Sequence, residues 1–240
     1  MAAFSLSVVI PAFNEETRLP ATLQTVCEFF GVASFLEVIV VDDGSTDGTA
    51  ALVEEFARTH PVVRLLRNPG NRGKGYAVRS GMLAARGEWV LFTDSDLSSP
   101  IEEFGKLTEA ALRTGAEIAI GSRALDRSLI GVHQPFLREY AGRFFNVVMR
   151  LATGLPFYDT QCGFKLFQAE AARAVFSRVV IERFGFDVEA LYIARKLGLH
   201  AVEVPVRWND VAGSKVSMFS GLDGFVDLLR IRWNARKRRY

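Results

Sequence analysis

The sequence predicts an α/β fold, a mostly parallel central sheet flanked by helices in a single domain. Three observations carry that expectation. Short apolar runs at 6–11, 37–42, 62–67, 89–94 and 117–121 alternate with stretches of helical period such as 21–30 and 77–85. Three of those runs end directly in polar clusters, at 11–16, 42–47 and 94–99, and in open α/β sheets that carboxyl edge holds the ligand. With 240 residues, 49% of them hydrophobic, the chain can bury a full core and sits near the upper size for one domain.

The first run ends in Pro11-Ala12-Phe13-Asn14-Glu15, without the Gly-rich turn of dinucleotide-binding or P-loop proteins. The second ends in Asp42-Asp43-Gly44-Ser45-Thr46-Asp47-Gly48, with the next helix beginning around Thr46. Carboxylates there suit ribose hydroxyls or a base edge, while Asp43, Ser45 or Asp47 also suit capping of that helix. After the third run, Asn71-Arg72-Gly73-Lys74-Gly75 sets two cations on flexible backbone ahead of a helix, a place for a phosphate or a sugar. The fourth ends in Asp94-Ser95-Asp96, two hard oxygen ligands suited to Mg2+ or Mn2+ holding a diphosphate. A solvated turn would show the same spacing.

From Asp126 the rhythm changes. A Pro-interrupted stretch leads to a helix near 138–153, the run 157–167, a helix near 187–197 and a strand near 199–207, which together read as the acceptor side. Domain limits follow as a donor half over 1–125, an acceptor half over 126–215 and a basic amphipathic segment over 216–240. In that last segment Phe219, Leu222, Phe225, Leu229 and Trp233 fall at three- and four-residue steps, as in an interfacial helix. A helix docked on the core with a solvated basic end fits the same pattern.

Lys and Arg total 29 against 27 Asp and Glu, too even a balance for a polyanion-binding body, so no nucleic acid is expected as partner. The positive charge gathers instead at Arg230, Arg232, Arg236, Lys237, Arg238 and Arg239, a tail suited to an anionic surface. Cys27 and Cys162 are too far apart to read as a disulfide framework or a zinc site, which suits a reducing, cytoplasmic setting. No leader pattern and no spanning apolar stretch are read, so contact with a membrane is expected from one side, peripheral on the cytoplasmic face. His60, His133 and His200 have no partners near in sequence and take no chemistry.

In order and spacing, Val8 to Glu15, Val40 to Asp47, Asn71 to Gly75 and Asp94-Ser95-Asp96 resemble the inverting family 2 glycosyltransferases. The likeness continues through Gly121-Ser122-Arg123, Asp159 to Lys165 and Gly213-Ser214-Lys215, covers almost the whole chain, and is greatest to the dolichyl-phosphate glucosyl and mannosyl branches. It implies a GT-A type nucleotide-binding fold. It also implies that Pro11, Phe13, Glu15, Val41 and Asp43 line a nucleoside pocket, Ser95 lies against the ribose, and Asp94 and Asp96 hold the metal. Lys74, Arg207, Ser214 and Lys215 would face the donor, with 206–215 as a lid, and Arg123, Arg138 and Arg143 the acceptor phosphate. Arg138 and Arg143 also suit plain surface positions on a helix. Where the mannosyl branch has a Gln two residues after the second aspartate, this chain has Ser98, which weakens the mannosyl assignment; Asp159 to Lys165 resembles the glucosyl branch, so UDP-glucose is the preferred donor and GDP-mannose the alternative.

The implied reaction passes a hexose from the sugar nucleotide to a polyprenyl or dolichyl phosphate. A lipid phosphate is already mostly anionic, its second pKa being about 6 by analogy with phosphoserine, so positioning and electrostatics outweigh a strong base. Asp159 is the candidate for orienting the sugar or acting as base, and a simple turn residue would look the same. A saccharide acceptor remains within the family's range. A sugar-1-phosphate nucleotidyltransferase would need a Gly- and Arg-rich loop after the first strand. A non-catalytic nucleotide- or membrane-binding module is opposed by Asp94, Asp96 and Lys215.

Overall fold

The computed structural model of the protein describes residues 5–31, 36–132, 136–211, 220–237 and 239–240. The first half repeats strand and helix: β1 (Leu6–Ala12), α1 (Leu19–Phe30), β2 (Leu36–Asp42), α2 (Thr49–Thr59), β3 (Val63–Arg67), α3 (Lys74–Ala84), β4 (Trp89–Thr93), α4 (Phe104–Thr114) and β5 (Ile118–Ser122). The second half holds β6 (Ile130–Val132), α5 (Phe136–Thr153), β7 (Phe164–Gln168), α6 (Ala169–Phe176), α7 (Phe186–Lys196), β8 (Ala201–Pro205), β9 (Trp208–Asn209) and α8 (Ser220–Arg236).

Seven strands form one sheet in the order β3-β2-β1-β4-β7-β5-β8, and β6 pairs with β9 in a small second one. All pairings in the large sheet are parallel except those of β7, which runs antiparallel between β4 and β5. Every residue of β1 and β2 is buried, as expected of parallel strands covered on both faces. The pleat then divides their side chains. Val8, Ile10, Val38 and Val40 pack toward α1, α2 and α4, with Leu23, Val53 and Leu107. Val9, Ile39 and Val41 pack toward α3, α6 and α7, with Val78, Val175 and Leu191. Each such buried aliphatic side chain is worth about 1.5–3 kcal/mol relative to exposure.

Two features of this sheet set the site. The chain steps from β1 to β2 and β3 on one side, then returns to place β4 on the other, so β1 and β4 flank a topological switch point. Pairing of β1 with β2 runs on to Ala12 opposite Asp42, whereas pairing with β4 stops at Val9 opposite Phe92. Pro11, which has no N–H to give to a ladder, lies in the stretch beyond that stop. Because β7 runs backwards, its entry loop joins the carboxyl ends of its neighbours, and 159–163 reaches the same edge.

α8 docks by one face. Leu228 and Ile231 are buried in the core that α5 and α7 share, and Tyr240 just beyond it donates its hydroxyl to Glu189 Oε1 at 2.5 Å. No helix among the described residues is long and apolar enough to cross a membrane.

Candidate active site

The turns after β1 and β2 are laced together. Asn14, at φ 54°, donates its N–H to Ser45 Oγ at 2.9 Å and accepts from the Thr46 N–H at 2.8 Å. The Glu15 N–H donates to Thr49 Oγ1 at 2.7 Å. Asn is among the few residues that tolerate this left-handed backbone, which explains its place in the turn. The Glu15 carboxylate takes a bidentate bond from Arg18, at 2.7 Å on each oxygen. That hydrogen bond raises the Arg18 guanidinium above its ordinary value despite partial burial, and Asp96 adds to the effect.

Asp43 organises the next loop. Its Oδ1 accepts from Asn68 Nδ2 at 2.9 Å, and its Oδ2 from the N–H groups of Arg72 and Gly73 at 3.1 and 2.6 Å. A Cβ on Gly44, at φ 75°, would lie 2.5 Å from the Gly70 carbonyl carbon, so the two loops touch backbone to backbone where only glycine fits. This bracing delivers Lys74 to the first position of α3, with its Nζ 2.6 Å from Asp94 Oδ1. Burial works against the Lys74 charge, but Asp94 and Asp187 outweigh it and hold the ammonium above its usual range.

Asp94 leaves β4 into a tight turn. Leu97 sits at φ 46°, held by its N–H on the Asp94 carbonyl at 3.3 Å and by the Ser98 N–H on Asp96 Oδ1 at 2.9 Å. The Ser95 carbonyl accepts from Thr22 Oγ1 at 2.6 Å. Across the crevice, a Cβ on Gly163 would lie 2.0 Å from Asp94 Oδ2. The entry loop of β7 therefore closes directly on the first aspartate.

Arg123, just past β5, gives Nε and Nη2 to Asp159 at 2.6 and 2.8 Å. Asp159 also accepts from the N–H groups of Arg123 and Gln161 at 3.0 and 3.2 Å. Burial alone would raise the Asp159 carboxyl, but the Arg123 charge and these bonds pull it below the usual carboxylate range. A carboxylate so saturated is a poor base and a good anchor. Asp159 is in turn fixed by Glu203, which accepts its N–H at 2.8 Å. Arg123 is held firmly protonated by Asp159 against the opposing effect of burial, and it also feels Asp94.

The structure brings Pro11, Val41, Asp43, Lys74, Asp94, Ser95, Asp96, Arg123 and Asp159 to one sheet edge, with Phe13 and Glu15 in the turn after β1. Arg207 lies on the α4 side, its Nε 2.5 Å from Glu103 Oε1 and its Nη2 3.5 Å from Glu102. Ser214 and Lys215 lie outside the described residues, as do the side chains of Arg138 and Arg143.

Sequence reasoning passed over a buried pair beneath this edge. Lys165, opposite Phe92 in the β7 register, places Nζ 2.5 Å from Asp187 Oδ1 in the first turn of α7. Burial pushes the Asp187 carboxyl up, against the pull of Lys165 and Lys74. The available signal was a lone lysine inside the apolar strand Phe164–Gln168, since a buried cation calls for a buried anion.

The acidic pair lies at a switch point of the sheet, facing cations on neighbouring loops. The chain belongs to glycosyl transferase family 2, whose profile matches residues 7–176, and it is a glycosyltransferase. It is 42% identical to a dolichyl-phosphate beta-glucosyltransferase of Drosophila melanogaster, over 90% of this chain and 71% of that one. It is 39% identical to the human dolichyl-phosphate beta-glucosyltransferase, over 95% of this chain and 74% of the relative. Among solved structures it resembles glucosyl-3-phosphoglycerate synthase from Mycobacterium tuberculosis in complex with Mn2+, UDP-glucose and phosphoglyceric acid, with TM-score 0.68 and 22% identity over 96% of this chain and 80% of that one. At that identity the likeness speaks for the fold.

Proposed function

We propose that the protein transfers glucose from UDP-glucose to the phosphate of a dolichyl or other polyprenyl lipid at a membrane surface, with inversion at the anomeric carbon. One observation carries the reading. An acidic pair, Asp94 and Asp96, and a guanidinium, Arg123 locked by Asp159, share one sheet edge, where the loop that carries Asp159 closes on Asp94 at Gly163. The acidic pole suits a metal-bound diphosphate and the cationic pole an acceptor phosphate. The relatives named above, glucosyltransferases acting on dolichyl phosphate, support the same substrates.

The residues fit a hard divalent cation, Mg2+ or Mn2+. Asp94 and Asp96 present carboxylate oxygens on one tight turn, and the solved neighbour was crystallised with Mn2+. When bound, the metal supplies Lewis-acid neutralisation of the charge that collects on the departing diphosphate. Pro11, Phe13, Glu15, Val41 and Asp43 line the nucleoside pocket in this reading, and Ser95 meets the ribose. Lys74 shares the diphosphate charge, and Arg207, Ser214 and Lys215 are the further donor contacts in this reading. Arg123, with Arg138 and Arg143, grips the acceptor. A phosphate oxygen forms the new bond to the anomeric carbon as the bond to the diphosphate breaks on the opposite face.

Because the acceptor arrives as an anion, no side chain need take a proton. The lowered Asp159 carboxyl fits that economy as a positioning residue for Arg123. The donor side falls to about 1–125 and the acceptor side to 126–215. The basic segment 216–240 meets the membrane, on the cytoplasmic face, where the free thiols of Cys27 and Cys162 would persist.

The test is transfer from radiolabelled sugar nucleotides into phosphorylated polyprenol in detergent, with and without Mg2+ or Mn2+, for the wild type and Asp96→Ala. Metal-dependent glycolipid from UDP-glucose, reduced by about 100-fold or more in the variant, is expected. Glycolipid from GDP-mannose alone would overturn the donor. Nucleotide released without glycolipid from any donor would overturn the acceptor.

A further inference from the structure

At the far end of α7 from Asp187, a cavity of ≈ 400 Å³ opens between α5, α7 and α8, lined among others by Leu151, Tyr192, Arg195, Lys196, Arg232 and Arg236. Lys196 lies nine residues along α7 from Asp187, about 13 Å at the helical rise, so the cavity is separate from the catalytic edge. Among the described residues four cations line it and no carboxylate does.

Part of that charge has a local explanation. Arg195 donates Nη1 to the carbonyl of Gly154, and Arg232 donates Nη1 to that of Ala152 at 2.6 Å. Both thereby cap the last turn of α5, where cations are favoured. Lys196 and Arg236 cap nothing and have no carboxylate partner among the described residues. Among the described residues no anion balances this cluster.

The surroundings identify the source of the anion. Leu151 on the rim is 80% exposed, and Leu229 and Trp233 on α8 are 71% and 58% exposed. On α8, Val226, Leu229 and Trp233 share one outward stripe, bracketed by Arg232 and Arg236 on one flank and Arg230 and Lys237 on the other, while Leu228 and Ile231 dock inward. On α5, exposed Tyr140, Val147 and Leu151 repeat along a single face. Large apolar groups flanked by cations are the pattern of a helix lying in a lipid interface.

We propose that this cavity binds the phosphodiester headgroup of an anionic bilayer phospholipid, a site apart from the acceptor phosphate site, with Leu151, Leu229 and Trp233 entering the surrounding interface. The inference rests on the membrane-surface reading above and adds a specific lipid class to it.

The experiment is vesicle flotation of the full chain with phosphatidylcholine alone and with phosphatidylserine added, for the wild type, Lys196→Gln/Arg236→Gln and Arg236→Glu. Inorganic phosphate, titrated by calorimetry without vesicles, forms a second arm. Preference for anionic vesicles is expected in the wild type. The double variant should lose about 25-fold of it, at about fivefold per cation near a charged surface. Transfer in detergent should stay unchanged. Trp89 and Trp208 are buried, so a blue shift and quenching by brominated lipid would report Trp233 entering the interface.

Retention of the wild-type preference by both variants would overturn the headgroup site and leave the membrane reading intact. Flotation with neither vesicle would overturn both. Millimolar inorganic phosphate that saturates the cavity and leaves vesicle binding unchanged would assign it to a soluble ion.

Discussion

The ammonium of Lys74 lies 2.6 Å from Oδ1 of Asp94, joining the loop before α3 to the acidic turn after β4. On the proposed reading Asp94 also holds the metal, so lysine and divalent cation would compete for one group. Lys74→Met should therefore bind Mn2+ about fivefold or more tightly in the absence of nucleotide, by electron paramagnetic resonance of the free ion. Transfer should fall about 10- to 100-fold, the value of a hydrogen bond to a charged group. Weaker Mn2+ binding in the variant would sink this account.

Asp159 holds Arg123 through both carboxylate oxygens. Its pKa in the folded protein lies below the usual carboxylate value, so its contribution to stability is present above the unfolded pKa of about 3.9 and lost as pH falls through the lowered folded value. Urea unfolding midpoints measured from pH 7 down to pH 2 should fall for the wild type once the pH drops below about 4. Asp159→Asn should be less stable at pH 7 by about 1.5–3 kcal/mol, the value of hydrogen bonds to a charged group, with a flatter dependence on acid. Parallel pH profiles for the two proteins would refute the assignment.

Lys165 and Asp187 form the second buried pair. Asp187→Asn should cost about 3–5 kcal/mol by leaving Lys165 uncompensated, and Lys165→Met with Asp187→Leu should recover most of that. If the pair also positions Lys74, which Asp187 influences electrostatically, the double variant regains stability and not transfer. A double-mutant cycle on unfolding free energy and on kcat/KM separates the two effects. Recovery of both would reduce the pair to a structural role.

The first four strands were readable because each is a short apolar run closed by a polar cluster. The runs 6–11, 37–42, 62–67 and 89–94 match β1 to β4 within a residue or two. The helix expected from Thr46 begins at Thr49, because Asp47 bonds the Thr49 N–H and hydroxyl and Gly48 takes the cap position. The antiparallel course of β7 was not readable. The stretch 157–167 joins an exit loop to a strand, and the partners of that strand, β4 and β5, lie far back in the chain. In the C-terminal segment, one face of α8 meets the core and the other meets solvent, so the docked-helix and interfacial-helix patterns both describe it.

The alternation of strand and helix in the donor half and the polar turns that close its strands, Asp94 and Asp96 among them, were determined by the sequence alone, because periodicity and turn chemistry act over a few neighbouring residues. The partners of those charges were decided only by the tertiary structure: Lys74 with Asp94, Arg123 with Asp159, Lys165 with Asp187. Charge pairing depends on distance through space and on exclusion of water, and neither exists until the sheet brings distant loops to one edge.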